Sequence, residues 1–372
     1  MKAMKVVFRA DASLQIGSGH VMRCLTLAEA LWAEGAECHF ICREHPGNLS
    51  DVIRSRGFDV YSLSLDIDLQ HSDLLELDTN PLAHANWLGT SQAEDAKESA
   101  KVLKALQPDW LVVDHYALDA DWEASLQVCV KRLMVIDDLA DRQHLCNILL
   151  DQTLGRNTDD YSGLVPAGCE LLLGAQYALL RPEFSRLRQR SLEQRGSARL
   201  NHLLITMGGV DQANATGTAL QALRTCSLPD GCTISVVMGL KAPWLAEVTE
   251  TAATMPWPTN VVVNVNDMAQ RMADSDLIVG AAGSTSWERC CLGVPTIMVV
   301  LAENQKPSAH ALQLSGSVML IEDVGDIALR LPEIIEQLKC SDVLLRMSKS
   351  ARLVSDGSGV KRVIEKMSAN YV

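Results

Sequence analysis

Short apolar runs recur along the first half of the chain at residues 4–8, 37–42, 110–114, 132–136 and 148–151. Between them apolar residues return at helical spacing, as in 21–35 and 93–106. Runs this short and continuously apolar predict strands buried on both faces. Their alternation with helices predicts a parallel sheet with right-handed crossovers. A second alternating set begins near His202, with strands expected at 202–206, 233–238, 261–264, 276–280, 295–300 and 318–321. Its helices are expected at 212–225, 242–253, 267–273, 284–292 and 306–315. Arg181 to Leu200, between the sets, is Arg-rich and lacks an apolar run, which predicts a helical connector leading to a short linker at Gly196 and Ser197. Residues 60–92 fit the alternation poorly. The acidic, Leu-rich part around Ile67 to Leu77 has no clean period and reads as an insertion or mobile loop. Val343 to Met367 returns to helical spacing and is expected to pack back across the domains. The expected fold class is α/β, with two Rossmann-like doubly wound domains facing an interdomain cleft. Their expected bounds are 1–195 and 196–345, with a terminal helix in 346–372.

Composition narrows the function classes. At 372 residues and 48% hydrophobic content the chain can bury two cores without disulfides or a structural metal. Aromatics are scarce at 4%, and the apolar mass is aliphatic, as suits buried parallel strands. A net charge of −13 argues against nucleic acid or an anionic membrane as partner. An anionic ligand must then be held locally, by backbone amides and a few arginines. The 11 cysteines show no CxxC and no zinc spacing with histidine, so free thiols in a reducing compartment are expected. Arg9 and Asp11 interrupt the first apolar run too early for a signal peptide, and no run of 18 apolar residues could span a membrane. A cytoplasmic location with no membrane insertion is expected.

The densest chemistry lies in Ser13–Cys24, Ser-Leu-Gln-Ile-Gly-Ser-Gly-His-Val-Met-Arg-Cys. It follows a strand and runs into a helical pattern, so Gly17, Ser18, Gly19 and His20 arrive at a helix N-terminus. Free amides and the helix dipole favour an anion there. The same field disfavours an imidazolium, so His20 is expected to stay neutral near pH 7 and able to accept a proton. Each part has a plainer rival: the glycines can simply permit a tight turn, and the histidine can cap or pack.

Met207-Gly-Gly-Val-Asp repeats the logic. A strand ends in Gly208 and Gly209, and Asp211 or Asn214 lies near the first turn of the next helix, a second candidate phosphate loop. A third turn, Gly280-Ala-Ala-Gly-Ser-Thr-Ser-Trp-Glu, offers Gly283 for close approach, Ser284 or Thr285 as helix caps, and Glu288. Glu288 can complete a capping box or accept both hydroxyls of a ribose. Asn304 and Gln305 follow the next strand and read as buried amides with something to bind. None of these turns is GxxxxGK[ST] or a full GxGxxG, which leaves a triphosphate P-loop and a nicotinamide site unsupported. Asp114, His115 and Tyr116 end one strand, and Asp137, Asp138, Asp141 and Arg142 follow another. Paired aspartates can bind Mg²⁺, but helix capping and pairing with arginine is the favoured reading.

Five motifs in the same order carry a family resemblance over roughly residues 1–330: Gly17–Cys24, Val112–Tyr116, Ile136–Arg142, Met207–Asp211 and Gly280–Glu288. They resemble the UDP-2,4-diacetamido-2,4,6-trideoxy-β-L-altropyranose hydrolases of bacterial pseudaminic acid biosynthesis, a route to flagellin glycosylation. More distantly the chain looks like MurG-type glycosyltransferases. The resemblance implies a GT-B architecture, UDP held mainly by the C-terminal domain, no cofactor and no metal. It implies His20 as catalytic base and Tyr116 in the sugar pocket. Gly208, Gly209 and Asp211 fall in the diphosphate loop, Glu288 at the uridine ribose, and Asn304 with Gln305 beside the sugar. Gly17, Ser18, Gly19, Arg23, Asn214, Gly283, Ser284 and Thr285 complete the expected substrate-binding set. The 60–92 insertion departs from shorter relatives, and the resemblance does not define the sugar side there. The implied partner is a small-molecule UDP-sugar, with oligomeric state open and a monomer as the working expectation. The main rival is a GT-B glycosyltransferase with a UDP-sugar donor. Membrane-linked versions show an apolar, basic patch, whereas residues 60–92 are acidic. A non-catalytic UDP-sugar binding protein is a third reading.

Overall fold

A computed structural model describes residues 3–65, 82–196 and 200–370. The core of the proposed insertion, and Ser197 of the proposed linker, lie outside these residues. The chain divides into two compact units, residues 1–179 with 360–372, and residues 180–359.

The first unit contains β1 (Lys5–Ala10), α1 (Gly19–Ala33), β2 (Glu37–Arg43), α2 (Ser50–Ser55), β3 (Asp59–Leu63), α3 (Gln92–Leu106), β4 (Trp110–Asp114), α4 (Ala120–Leu126), β5 (Arg132–Ile136), β6 (Ile148–Asp151) and β7 (Glu170–Leu173). The strands form one parallel sheet in the order β3-β2-β1-β4-β5-β6-β7. Along β1, Val6, Phe8 and Ala10 enter one apolar cluster while Val7 enters another. Helices cover both faces, which is why Val6, Val7 and Phe8 read as an unbroken apolar run. The sequence reading missed β3 and β7, the two outermost strands, where a polar alternation (Asp59, Ser62) or a run only four residues long gives little signal.

The second unit contains α5 (Pro182–Gln194), β8 (His202–Thr206), α6 (Ala215–Leu223), β9 (Thr233–Met238), α7 (Leu245–Ala253), β10 (Thr259–Val263), α8 (Met268–Asp274), β11 (Leu277–Ala281), α9 (Thr285–Cys291), β12 (Thr296–Val299), α10 (Lys306–Leu314), β13 (Val318–Ile321), α11 (Ile327–Leu338) and α12 (Ser341–Val354). Its parallel sheet runs β10-β9-β8-β11-β12-β13. Each unit is thus a Rossmann-like α/β fold.

Two expected boundaries move. The connector helix α5 packs with the second unit, so the division falls at Leu180 rather than after residue 195. Arg195 donates to the carbonyls of Met272, Ala273, Ser275 and Leu292, and the Ser191 hydroxyl donates to Leu292. The single terminal helix expected in 346–372 is instead two. α12 ends at Val354, Gly357 takes φ +81°, and α13 (Gly359–Ala369) places Val363, Ile364 and Met367 in the core of the first unit. All 11 cysteines are free. Among the described residues no helix is long and apolar enough to cross a membrane.

Candidate active site

In the first unit β1 has β2 on one side and β4 on the other, so the strand order switches direction between β1 and β4. Such a switch opens a crevice at the carboxyl ends of the two strands. Ala10 pairs with Asp114 at that edge. The chain then turns through Gly17, at φ +82°, and starts α1 at Gly19. Ser18 occupies the N-cap without a side-chain cap bond, and no acidic residue lies in the first turn. The α1 amides therefore keep the anion-favouring end that the sequence predicted.

His20 is buried on this first turn, with Nδ1 2.5 Å from Oδ1 of Asp114. In the neutral ring that contact puts the proton on Nδ1 and leaves Nε2 with its lone pair, the arrangement a general base requires. Arg23, one turn later, clamps the same carboxylate through Nε (2.6 Å) and Nη2 (2.8 Å). Its Nη1 reaches Asp138 at 2.5 Å. Burial pushes the Asp114 carboxyl up, but the charge of Arg23 and the hydrogen bonds from Arg23 and His20 outweigh it and hold the group well below the usual carboxylate range. Asp114 is therefore a permanent anion that orients His20. Arg23, expected to touch substrate, has its guanidinium committed to two carboxylates.

Tyr116 closes against His20, the two rings 4.6 Å apart and edge-on. Its hydroxyl donates to Asp138 at 3.1 Å. Burial raises the phenol well above its usual range, so it stays protonated. Behind the site a second buried group of charges braces the strand ends. Arg9 donates to Asp11 at 2.6 Å and to Asp95 at 2.6 Å, and Arg43 joins Asp95 at 2.8 Å. Asp137 pairs with Arg142 at 2.9 Å and accepts from the amides of Leu139 and Ala140, the capping and pairing role favoured above.

The second unit repeats the topology. Its order switches between β8 and β11, where Thr206 pairs with Gly280, so the turns after both strands share one crevice. Gly208 takes φ +91°, and a Cβ on Gly208, Gly209 or Gly283 would meet nothing within 4 Å. These three glycines expose bare backbone with room beside it. Two neighbouring glycines, of which sequence reasoning missed Gly239, allow close approach nearby. A Cβ on Gly239 would strike the carbonyl of Gly209, and one on Gly280 would strike the guanidinium of Arg289.

Other expected ligands are placed differently. Asp211 accepts from the amides of Ala215 and Thr216, both at 2.9 Å, and Asn214 accepts from Gly217 at 3.1 Å. They cap α6 and so occupy the amides that an anion would otherwise use there. Ser284 and Thr285 are exposed at the start of α9, and Ser284 makes no side-chain cap. Glu288 forms no capping box. It points to Arg181 at 3.6 Å with 15% of its side chain exposed. Burial pushes its carboxyl up to about 7 despite Arg181 and Arg289. Asn304 is exposed rather than buried, because the turn after β12 lies on the surface, and Gln305 accepts from the Leu301 amide at 3.0 Å. Among the described residues no His, Cys, Asp and Glu cluster has the makings of a metal site. Sequence reasoning also left out His84 and Trp87, and had Asp114 and Asp138 only as strand-end acids.

Residues 239–360 match the model of the glycosyltransferase family 28 C-terminal domain. The chain is 28% identical over 315 residues to the UDP-2,4-diacetamido-2,4,6-trideoxy-beta-L-altropyranose hydrolase of Campylobacter jejuni, covering 84% of this chain and 97% of that protein. It is 34% identical over 112 residues to the UDP-N-acetylglucosamine--N-acetylmuramyl-(pentapeptide) pyrophosphoryl-undecaprenol N-acetylglucosamine transferase of Acetivibrio thermocellus, covering 28% of this chain and 30% of that one. The fold is that of MurG from Acinetobacter baumannii, with a TM-score of 0.70 at 15% identity over 99% of this chain and 100% of that structure.

Proposed function

We propose that this chain is a UDP-sugar hydrolase in which His20 acts as general base on water. Its substrate on this reading is UDP-2,4-diacetamido-2,4,6-trideoxy-β-L-altropyranose, and its products are UDP and 2,4-diacetamido-2,4,6-trideoxy-L-altropyranose. The observation that carries the reading is the buried Asp114–His20 pair at 2.5 Å on the open first turn of α1. Similarity over nearly the whole length of the Campylobacter jejuni hydrolase supports the choice of substrate.

Nε2 of His20 takes a proton from water, and the water oxygen bonds to the anomeric carbon. The bond from that carbon to the phosphate oxygen breaks, and its electron pair leaves with UDP. General-base action of this kind is worth about 10²–10⁴-fold. Backbone amides at Gly208, Gly209 and Gly283 share the charge gathering on the leaving diphosphate. Glu288, when ionised, accepts the ribose hydroxyls. No step calls on a metal or a cofactor.

A second reading, a glycosyltransferase with a UDP-sugar donor, is favoured by the family 28 match and by the MurG-like fold. It requires an acceptor other than water. The test is UDP release from the UDP-sugar with no acceptor present, by wild type and His20→Asn. Turnover by the wild type, with the variant silent yet still binding UDP, supports the hydrolase. Near-normal kcat in the variant removes His20 as base, and turnover only on adding an acceptor favours the transferase.

A further inference from the structure

Beside His20 stands a group of rings that the mechanism does not use. Trp87 ends the 3-10 turn Ala85–Trp87, and His84 is its N-cap. Trp87 stacks on Tyr116, with centroids 5.8 Å apart and planes at 26°. His84 lies 4.4 Å from Trp87 and 5.5 Å from Tyr116, and Trp87 meets His20 edge-on at 6.4 Å. These rings are not simply core. The neighbouring Leu88 takes the buried position at 1% exposure, while His84 and Trp87 stay half-buried.

One polar atom of this wall is already committed. The Tyr116 hydroxyl is spent on Asp138, and the Arg142 guanidinium sits 5.8 Å from the Tyr116 ring centre. Burial lowers the His84 pKa, with Asp141 opposing and Arg142 adding to the shift, which favours the neutral imidazole. Ring faces of this kind bury methyl groups well and strand hydroxyls away from water.

We propose that Trp87, with His84 and Tyr116, forms the specificity-determining wall of the sugar subsite and receives the apolar edge of a deoxygenated, N-acetylated hexose. This rests on the hydrolase reading for its substrate class. A 6-methyl or an acetamido methyl packs on the wall without loss. A 6-hydroxyl laid against the ring faces gives up its water partners, and the faces offer none in return. An apolar surface discriminates against an added hydroxyl by about 10²-fold at most, which sets the scale of the effect.

The test measures kcat/KM for the 2,4-diacetamido-2,4,6-trideoxy UDP-sugar and for UDP-N-acetylglucosamine in wild type, Trp87→Ala and Trp87→Phe. The alanine variant should lose about 10–100-fold on the deoxy sugar and far less on UDP-N-acetylglucosamine, with UDP affinity unchanged. Trp87→Phe should restore most of the preference, which a folding defect would not do. An unchanged ratio between the two substrates in Trp87→Ala overturns the proposal. Calorimetry in the His20→Asn background separates the two readings, because it needs no turnover. Trp87-dependent tighter binding of the deoxy UDP-sugar would keep the wall even if wild type releases no sugar to water. Equal affinity for both UDP-sugars would remove the wall even if hydrolysis is real.

Discussion

Around His20 each charged neighbour is a side chain already committed to another: Asp114 to His20 and Arg23, and Asp138 to Arg23 and Tyr116. Around Gly208 and Gly283 the picture reverses, with bare backbone and open space beside it. The two crevices occupy equivalent switch points in sheets of the same kind, so topology does not explain the difference. Chemistry does. A base must hold one tautomer and one orientation through a proton transfer, which takes a rigid network of charges. A diphosphate needs several donors at close range, which glycine turns supply because no Cβ intervenes.

Changes at each crevice should therefore fail in different ways. The largest effect is expected for Asp114→Asn, which leaves Arg23 partly unpaired and His20 without its anion. Breaking such a buried pair costs about 3–5 kcal/mol in denaturant unfolding. Turnover should also fall by about 10²–10⁴-fold, the scale seen when a base loses its orienting carboxylate, while UDP affinity is retained. Loss of UDP binding on the same scale as turnover would erase the contrast between the crevices.

Next comes pH. The folded Glu288 carboxyl is raised to about 7 from an ordinary 4.5, so between those values the folded state holds a proton that the unfolded state has lost. Its contribution to stability is present below the unfolded value and disappears as pH rises toward 7. Glu288→Gln should remove that slope, an effect of about 1–3 kcal/mol in pH-dependent unfolding. UDP affinity should run the opposite way in wild type and strengthen through pH 7, as the ionised carboxylate becomes available to the ribose.

A smaller cost is expected for Gly208→Ala, where a side chain must adopt φ +91°: about 1–2 kcal/mol of strain, together with weaker UDP binding. Smallest in stability is Gly283→Val, whose ordinary backbone and open surroundings should keep unfolding within about 0.5 kcal/mol of wild type. Its UDP dissociation constant should nonetheless rise, since the added branches fill the space a phosphate would take. Unchanged UDP affinity in Gly283→Val would take this turn out of the nucleotide site.

The sequence made much of this legible, for identifiable reasons. Strands buried on both faces, such as β1, β4 and β11, show up as unbroken apolar runs, and the turns after them place His20, Gly208 and Gly283 at carboxyl ends. The edge strands β3 and β7 were hidden because they lack that signal. The Asp114–Arg23–Asp138 chain was hidden for another reason: its members are far apart in sequence, and only the β1–β4 pairing brings them together. Asp211 and Asn214 were visible as residues but not as caps, since their role depends on left-handed backbone at φ +45° and +54°. His84 and Trp87 sat in a stretch without periodicity, and no sequence pattern linked them to Tyr116.

The account turns on water attacking the anomeric carbon with His20 as its base. Turnover of the UDP-sugar in ¹⁸O-enriched water, followed by mass analysis of both products, tests this directly. The account predicts one labelled oxygen in the free sugar and none in UDP. Label in UDP would mean attack at phosphorus and would contradict it.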